Sequence, residues 1–221
     1  MPARLRPTAP IAADAVLVGD PGRALMLAQA LLEEPKMSNH ARGLWGYTGH
    51  TPGGRELSLQ ATGMGGPSAA IVLADLAELG VRRAVRVGTC TGLDPELAPG
   101  QLLTIAEAHA WGGGGAGEAR LPHAGLAAAL ARELGTEARG AAVASLDVLH
   151  GGGAPAPVEA GDAADMQTAA LFGRGIELGV ELAAVLVVVE SADGERLEPE
   201  PEERAAARAG ESAAAAFSTS S

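Results

Sequence analysis

The feature that most constrains this chain is a recurring order of segments: a short apolar run, a glycine-rich turn, then an amphipathic stretch. Residues 15–18 are apolar and end at GDPGR, 19–23, with a helical pattern over 23–32. Pro21 suits a first helical turn, where its missing N–H is not needed. Residues 56–62 alternate polar and apolar, as a half-buried strand does, and run into GMGGPS, 63–68, and a helix through 79. A strand over 81–87 stops at GTCTG, 88–92, and another covers 101–108. Further on, the pattern predicts a helix over 122–134, a strand over 141–148 and a helix over 162–178. A buried strand over 182–189 and an alanine-rich helix over 202–217 complete it, with glycine loops at 112–115 and 151–153. This order predicts an α/β layered fold that binds ligands at strand ends.

The chain has 221 residues, enough for one domain with a sizeable core. It carries no internal repeat and no strong break in composition, so 1–221 reads as a single domain. The net charge is −11, which disfavours nucleic acid as a partner because backbone phosphates need a basic face. A small anion still binds wherever a few arginines converge, and the cations here are 15 arginines and Lys36. The longest apolar run, 182–189, is too short to span a bilayer. Arg4 and Arg6 are followed by no apolar leader segment. The single cysteine, Cys90, forms no internal disulfide and no zinc site by itself. The expectation is a cytoplasmic, soluble protein without membrane contact.

The ends of strands carry the chemistry. Gly19 to Arg23 offers backbone N–H groups at a helix start plus a guanidinium, a combination that binds oxyanions. The plain alternative is an ordinary strand–helix turn. Arg86 lies inside an apolar strand, where an arginine needs an anionic partner. That partner is either a bound anion or an internal carboxylate. Thr89 follows with a hydroxyl and an N–H. Cys90 reads as a small packing residue.

Taken in order, GDPGR at 19–23, ARGLWGYTG at 41–49, ATGMGGPSAA at 61–70 and RVGTCTGL at 86–93 resemble the purine nucleoside/uridine phosphorylase superfamily. Within it they look most like the hexameric, bacterial-type purine nucleoside phosphorylases. The resemblance is nearly continuous over 15–108 and resumes more weakly over 141–191, at ASLDVLH and ADMQTAALF. It implies a three-layer α/β/α fold with a central mixed, partly barrelled β-sheet. It implies reversible phosphorolysis of purine ribonucleosides to free base and ribose 1-phosphate, with inorganic phosphate as co-substrate. By residue match, Gly19, Arg23, Arg86 and Thr89 would hold phosphate. Arg42 would reach a neighbouring subunit's phosphate in a dimer-based homo-oligomer, a hexamer by this likeness. Met64 and Met166 would line the ribose.

The departures fall on the nucleoside side. Gln167 stands where the family has a ribose-gripping glutamate. At the position of the acid that protonates the purine, a gapless match puts Ser191, and a two-residue slip puts Asp193; the gapless match also aligns Gly194. Leu149 replaces the aromatic residue that packs on the base, with His150 beside it, and Glu190 is a second candidate for base contact. His150 is alternatively a solvated loop histidine. The N-terminal histidine that family members lend to a neighbour's ribose is missing, with Arg4 nearest, and the segment between 108 and 162 is short for the family. Three functions follow: an active phosphorylase, a hydrolytic nucleosidase, or a catalytically weak or inactive homologue that binds a nucleoside or anion.

Overall fold

The computed structural model describes residues 2, 4–112, 115–147 and 161–219. Its strands in chain order are β1 (Asp14–Val18), β2 (Glu33–Asn39), β3 (Gly46–His50), β4 (Glu56–Ala61) and β5 (Arg83–Gly92). They continue with β6 (Leu102–Gly112), β7 (Gly115–Arg120), β8 (Ala138–Leu146), β9 (Ala163–Asp165) and β10 (Glu181–Glu190). The helices are α1 (Pro21–Leu31), α2 (Gly66–Glu78), α3 (Ala124–Leu134), α4 (Thr168–Leu178) and α5 (Pro199–Thr219).

All ten strands belong to one mixed sheet. Five of them close into a small barrel. β5 pairs in parallel with β10, β10 antiparallel with β6, β6 in parallel with β8, β8 in parallel with β9, and β9 antiparallel with β5. From β5 the sheet continues outward through β1, β4, β3 and β2. Strand periodicity divides the core between two faces. Ala15 and Leu17 of β1, with Leu182, Ala184, Leu186 and Val188 of β10, pack with Val72, Leu73 and Leu76 of α2 and Leu171 and Phe172 of α4. Val16 and Val18, with Ala183, Val185 and Val187, pack with Leu27 of α1, Leu126 and Leu130 of α3 and Phe217 of α5. Helices thus cover both faces, which makes the three layers expected from the sequence.

Several expected boundaries shift for physical reasons. The glycine-rich segment 88–92 is strand rather than turn, because β10 and β9 supply backbone partners through Thr91 and Gly92. Gly88 is small because a Cβ there would stand 2.6 Å from the Arg86 guanidinium and 2.8 Å from Leu186. The helix expected from 162 begins at Thr168, since 163–165 form β9 between β5 and β8. β2 was not legible: EEPKMSN is a largely exposed strand at the sheet's end, bearing a proline and charges and no apolar alternation. The segment ahead of β1 is tied to α2. The backbone N–H groups of Arg4 and Leu5 donate to the Asp75 carboxylate of α2 at 2.6 and 2.7 Å, and Leu5 is buried. No helix among the described residues is long and apolar enough to cross a membrane. The expected loop at 151–153 lies outside the described residues, as do positions 113 and 114 of the loop at 112–115.

Phe172 is fully buried where α4 meets the barrel. Phe172→Ala should lower the unfolding free energy by about 3–5 kcal/mol, read by urea denaturation. A loss under about 1 kcal/mol would mean that this layer is not close-packed.

Candidate active site

Alternation along β5 turns Val85 and Val87 toward one helical layer. Arg86 therefore points to the other, where β9 runs into α4. There it is 5% exposed and meets three side chains. Its Nη2 pairs with Asp165 at 3.0 Å, its Nη1 donates to Gln167 Oε1 at 2.7 Å, and its Nε donates to Thr168 Oγ1 at 3.1 Å. Asp165 is fully buried and heavily bonded. It accepts from Ser145 Oγ, and from both the N–H and the hydroxyl of Thr168. The carboxylate therefore also caps α4, where a negative charge is favoured by the helix dipole.

Gln167 extends this network to a third segment. Its Nε2 donates to the carbonyls of Gly63 and Gly65 at 2.5 and 3.5 Å, and its Oε1 accepts from Thr62 as well as Arg86. Gly63 and Gly65 have φ of 74° and 82°, a region that only glycine enters readily. An amide suits this geometry, because an ionised carboxylate would set an acceptor against the Gly63 carbonyl.

Arg86, Gly19, Asp20, Arg23, Gly63, Met64, Gly65, Gly88, Thr89, Asp165, Met166 and Gln167 enclose a cavity of about 280 Å³. The structure thus brings Gly19, Arg23, Arg86 and Thr89 to one wall system with Met64, Met166 and Gln167. Arg23 enters from α1, whose N-cap Asp20 accepts the Arg23 N–H at 2.8 Å. The Arg23 guanidinium is paired with Glu202, from the first turn of α5. Arg42 lies elsewhere. It is exposed, at φ 61° in a short 3-10 turn, and does not line the cavity.

A second cavity, of about 300 Å³, shares Thr89 with the first. Cys90, Thr91, Val189, Glu190, Arg196, Leu197 and Glu202 form its other walls. Glu190 pairs there with Arg196 at 3.0 Å. Burial pushes the Cys90 thiol well above its ordinary range, so it stays protonated at neutral pH and is no nucleophile.

Ser191 and Asp193 line neither cavity. The chain turns sharply after β10, with the Ser191 hydroxyl donating to Asp193 and accepting from the Glu195 N–H. The Ser191 hydroxyl and nearby backbone N–H groups hold the Asp193 carboxyl below the usual range. At neutral pH that group accepts hydrogen bonds and has no proton to give. Leu149 and His150 lie outside the described residues.

The sequence reading missed Asp165, Asp20 and Glu202. Asp165 fell inside the helix expected over 162–178, so nothing local marked it as the partner of Arg86.

A family model described as the phosphorylase superfamily matches residues 14–220. The chain belongs to the phosphorylase superfamily. A DeoD-type purine nucleoside phosphorylase of Caldanaerobacter subterraneus is 44% identical over 88 residues, which cover 39% of this chain and 38% of that protein. The Clostridium perfringens enzyme of the same name is 40% identical over 100 residues, covering 45% and 42%. The chain thus matches less than half the length of these curated relatives. The fold extends further. The crystal structure of purine nucleoside phosphorylase from Toxoplasma gondii, in complex with immucillin-H, superposes with a TM-score of 0.82. At 22% identity it covers 94% of this chain and 92% of its own. For this member of the superfamily, the conserved architecture is the frame that carries the Arg86 network.

Arg86→Ala would strand the buried Asp165 carboxylate. It should cost about 3–5 kcal/mol of stability, read by urea denaturation. A loss below about 1 kcal/mol would mean that Asp165 is not committed to Arg86.

Proposed function

We propose that the protein catalyses reversible phosphorolysis of purine nucleosides, releasing the base and forming pentose 1-phosphate. The observation that carries this reading is the convergence of Arg23, Arg86 and Thr89 on the cavity that Met64 and Met166 also line. Phosphate would sit against the two guanidinium groups and Thr89. The sugar would lie over the methionines, and the base would reach past Thr89 into the second cavity, beside Glu190 and Arg196. A phosphate oxygen then attacks C1′ as the bond from C1′ to the base nitrogen breaks. The transition state is oxocarbenium-like, and a phosphate dianion held at the reacting carbon is both nucleophile and electrostatic stabiliser. The bound phosphate supplies this chemistry as co-substrate, with no organic cofactor in the scheme.

The reading includes a homo-oligomer in which Arg42 reaches a neighbouring subunit's phosphate. Its support is that Arg42 is exposed, makes no ion pair among the described residues and holds a positive φ, a conformation that a non-glycine residue adopts at a cost. A hexamer is the assembly proposed from the family resemblance.

A second reading has one observation in its favour. Both cavity arginines already face carboxylates of the chain itself, Arg23 with Glu202 and Arg86 with Asp165. A site neutralised in this way suits a nucleoside-binding protein, or a nucleosidase that uses water.

Base release by chromatography from inosine, guanosine and adenosine, with and without phosphate, separates the readings. The expected result is release only with phosphate. Arg23→Ala should lower kcat/KM for phosphate about 10- to 100-fold, as loss of a charged hydrogen bond does. Release without phosphate would establish hydrolysis, and no release from any nucleoside would leave binding alone.

A further inference from the structure

The two arginines of the cavity are held in different ways. Arg86 is locked: its partner Asp165 has no exposed side-chain surface and is bonded to Ser145 and Thr168 as well. Arg23 is held by one carboxylate, from Glu202, whose side chain is 28% exposed while that of Arg23 is 15% exposed. Among the described residues the Glu202 side chain has no other hydrogen-bond or ion-pair partner. α5 can present it there because α5 packs closely on α1. Gly210 meets Leu27 so tightly that a Cβ would stand 2.6 Å from the leucine side chain. Glu202 also borders the second cavity, so the Arg23–Glu202 pair stands between the two spaces.

A carboxylate and a phosphate meet a guanidinium through the same forked hydrogen-bond geometry. We propose that Glu202 is the resident competitor for the anion site at Arg23, and that it sets how tightly the protein takes phosphate. The proposal rests on the phosphorolysis reading. On it, inorganic phosphate gains Arg23 only as Glu202 leaves. The ion pair with Glu202 is lost in that exchange, so apparent phosphate affinity falls by the strength of the pair. Asp165 cannot play this part, because leaving Arg86 would break its bonds to the α4 start. Glu202 leaves for solvent from the first turn of an otherwise intact helix.

The test compares wild type with Glu202→Gln and Glu203→Gln. Each variant removes one negative charge from the same helical turn, and Glu203 is exposed and makes no contact with Arg23. Inorganic phosphate is titrated calorimetrically into the full-length protein, and the phosphate KM is measured with inosine. The expected result for Glu202→Gln is phosphate binding about 3- to 10-fold tighter, with KM lowered in parallel, the range of a partly buried ion pair. Glu203→Gln should stay near wild type. If Glu202 only positions Arg23, its replacement leaves phosphate affinity unchanged or weaker, and the proposal is overturned. Equal tightening in both variants would reduce the effect to bulk charge and would also overturn it. If no protein of the three binds phosphate, the proposal and the phosphorolysis reading fall together. Phosphorolysis by all three with unchanged affinities removes the proposal alone.

Discussion

The ion pair between Arg86 and Asp165 is the contact on which the rest of the site depends. A charged side chain in the interior of a sheet must find a full set of partners, and Arg86 finds them at a single helix start. Asp165 is at once the counter-charge and the cap of α4. Gln167 carries the network across to the glycine turn before α2. Three segments separate in sequence, β5, the β9–α4 junction and the β4–α2 turn, are tied to one guanidinium. The cavity therefore has its shape before any ligand arrives. Such preorganisation is what electrostatic catalysis requires.

Preorganisation also creates a difficulty that the protein meets unevenly. Two guanidinium groups lining one cavity repel each other, and an unpaired guanidinium inside a protein is unfavourable. Here each is matched by a carboxylate. Asp165 is structural and stays. Glu202 is near the surface and has one bond to give up. Arg86 is fixed by its buried partner, while Arg23 is held by a single, more exposed carboxylate. Belonging to the phosphorylase superfamily accounts for the barrelled sheet. The carboxylate that faces Arg23 comes from α5.

How much of this was legible follows from sequence distance. The glycine turns, Arg23, Arg86, Thr89 and the methionines are marked by local patterns at strand ends, and the structure draws them together. The carboxylates were hidden because each contact spans a long separation: 79 residues from Arg86 to Asp165 and 179 from Arg23 to Glu202. No periodicity reports such pairs. Gln167 stands at the place of a ribose-gripping glutamate by resemblance, and nothing local in the sequence signals that the fold engages its amide on both sides. Glycines at 88–92 were read as a turn, since local composition does not reveal that β9 and β10 flank them. Ser191 and Asp193 resembled a proton donor in the sequence, but a five-residue turn binds them to each other. Among the surface elements, β2 has no apolar face that a pattern could register.

The measurement that bears most directly on this account is a crystal structure of the protein grown with inorganic phosphate. Tetrahedral density is expected in contact with Arg23, Arg86 and Thr89, with the Arg86–Asp165 pair unchanged. Phosphate bound only elsewhere, or an Arg86 that has left Asp165, would contradict that expectation.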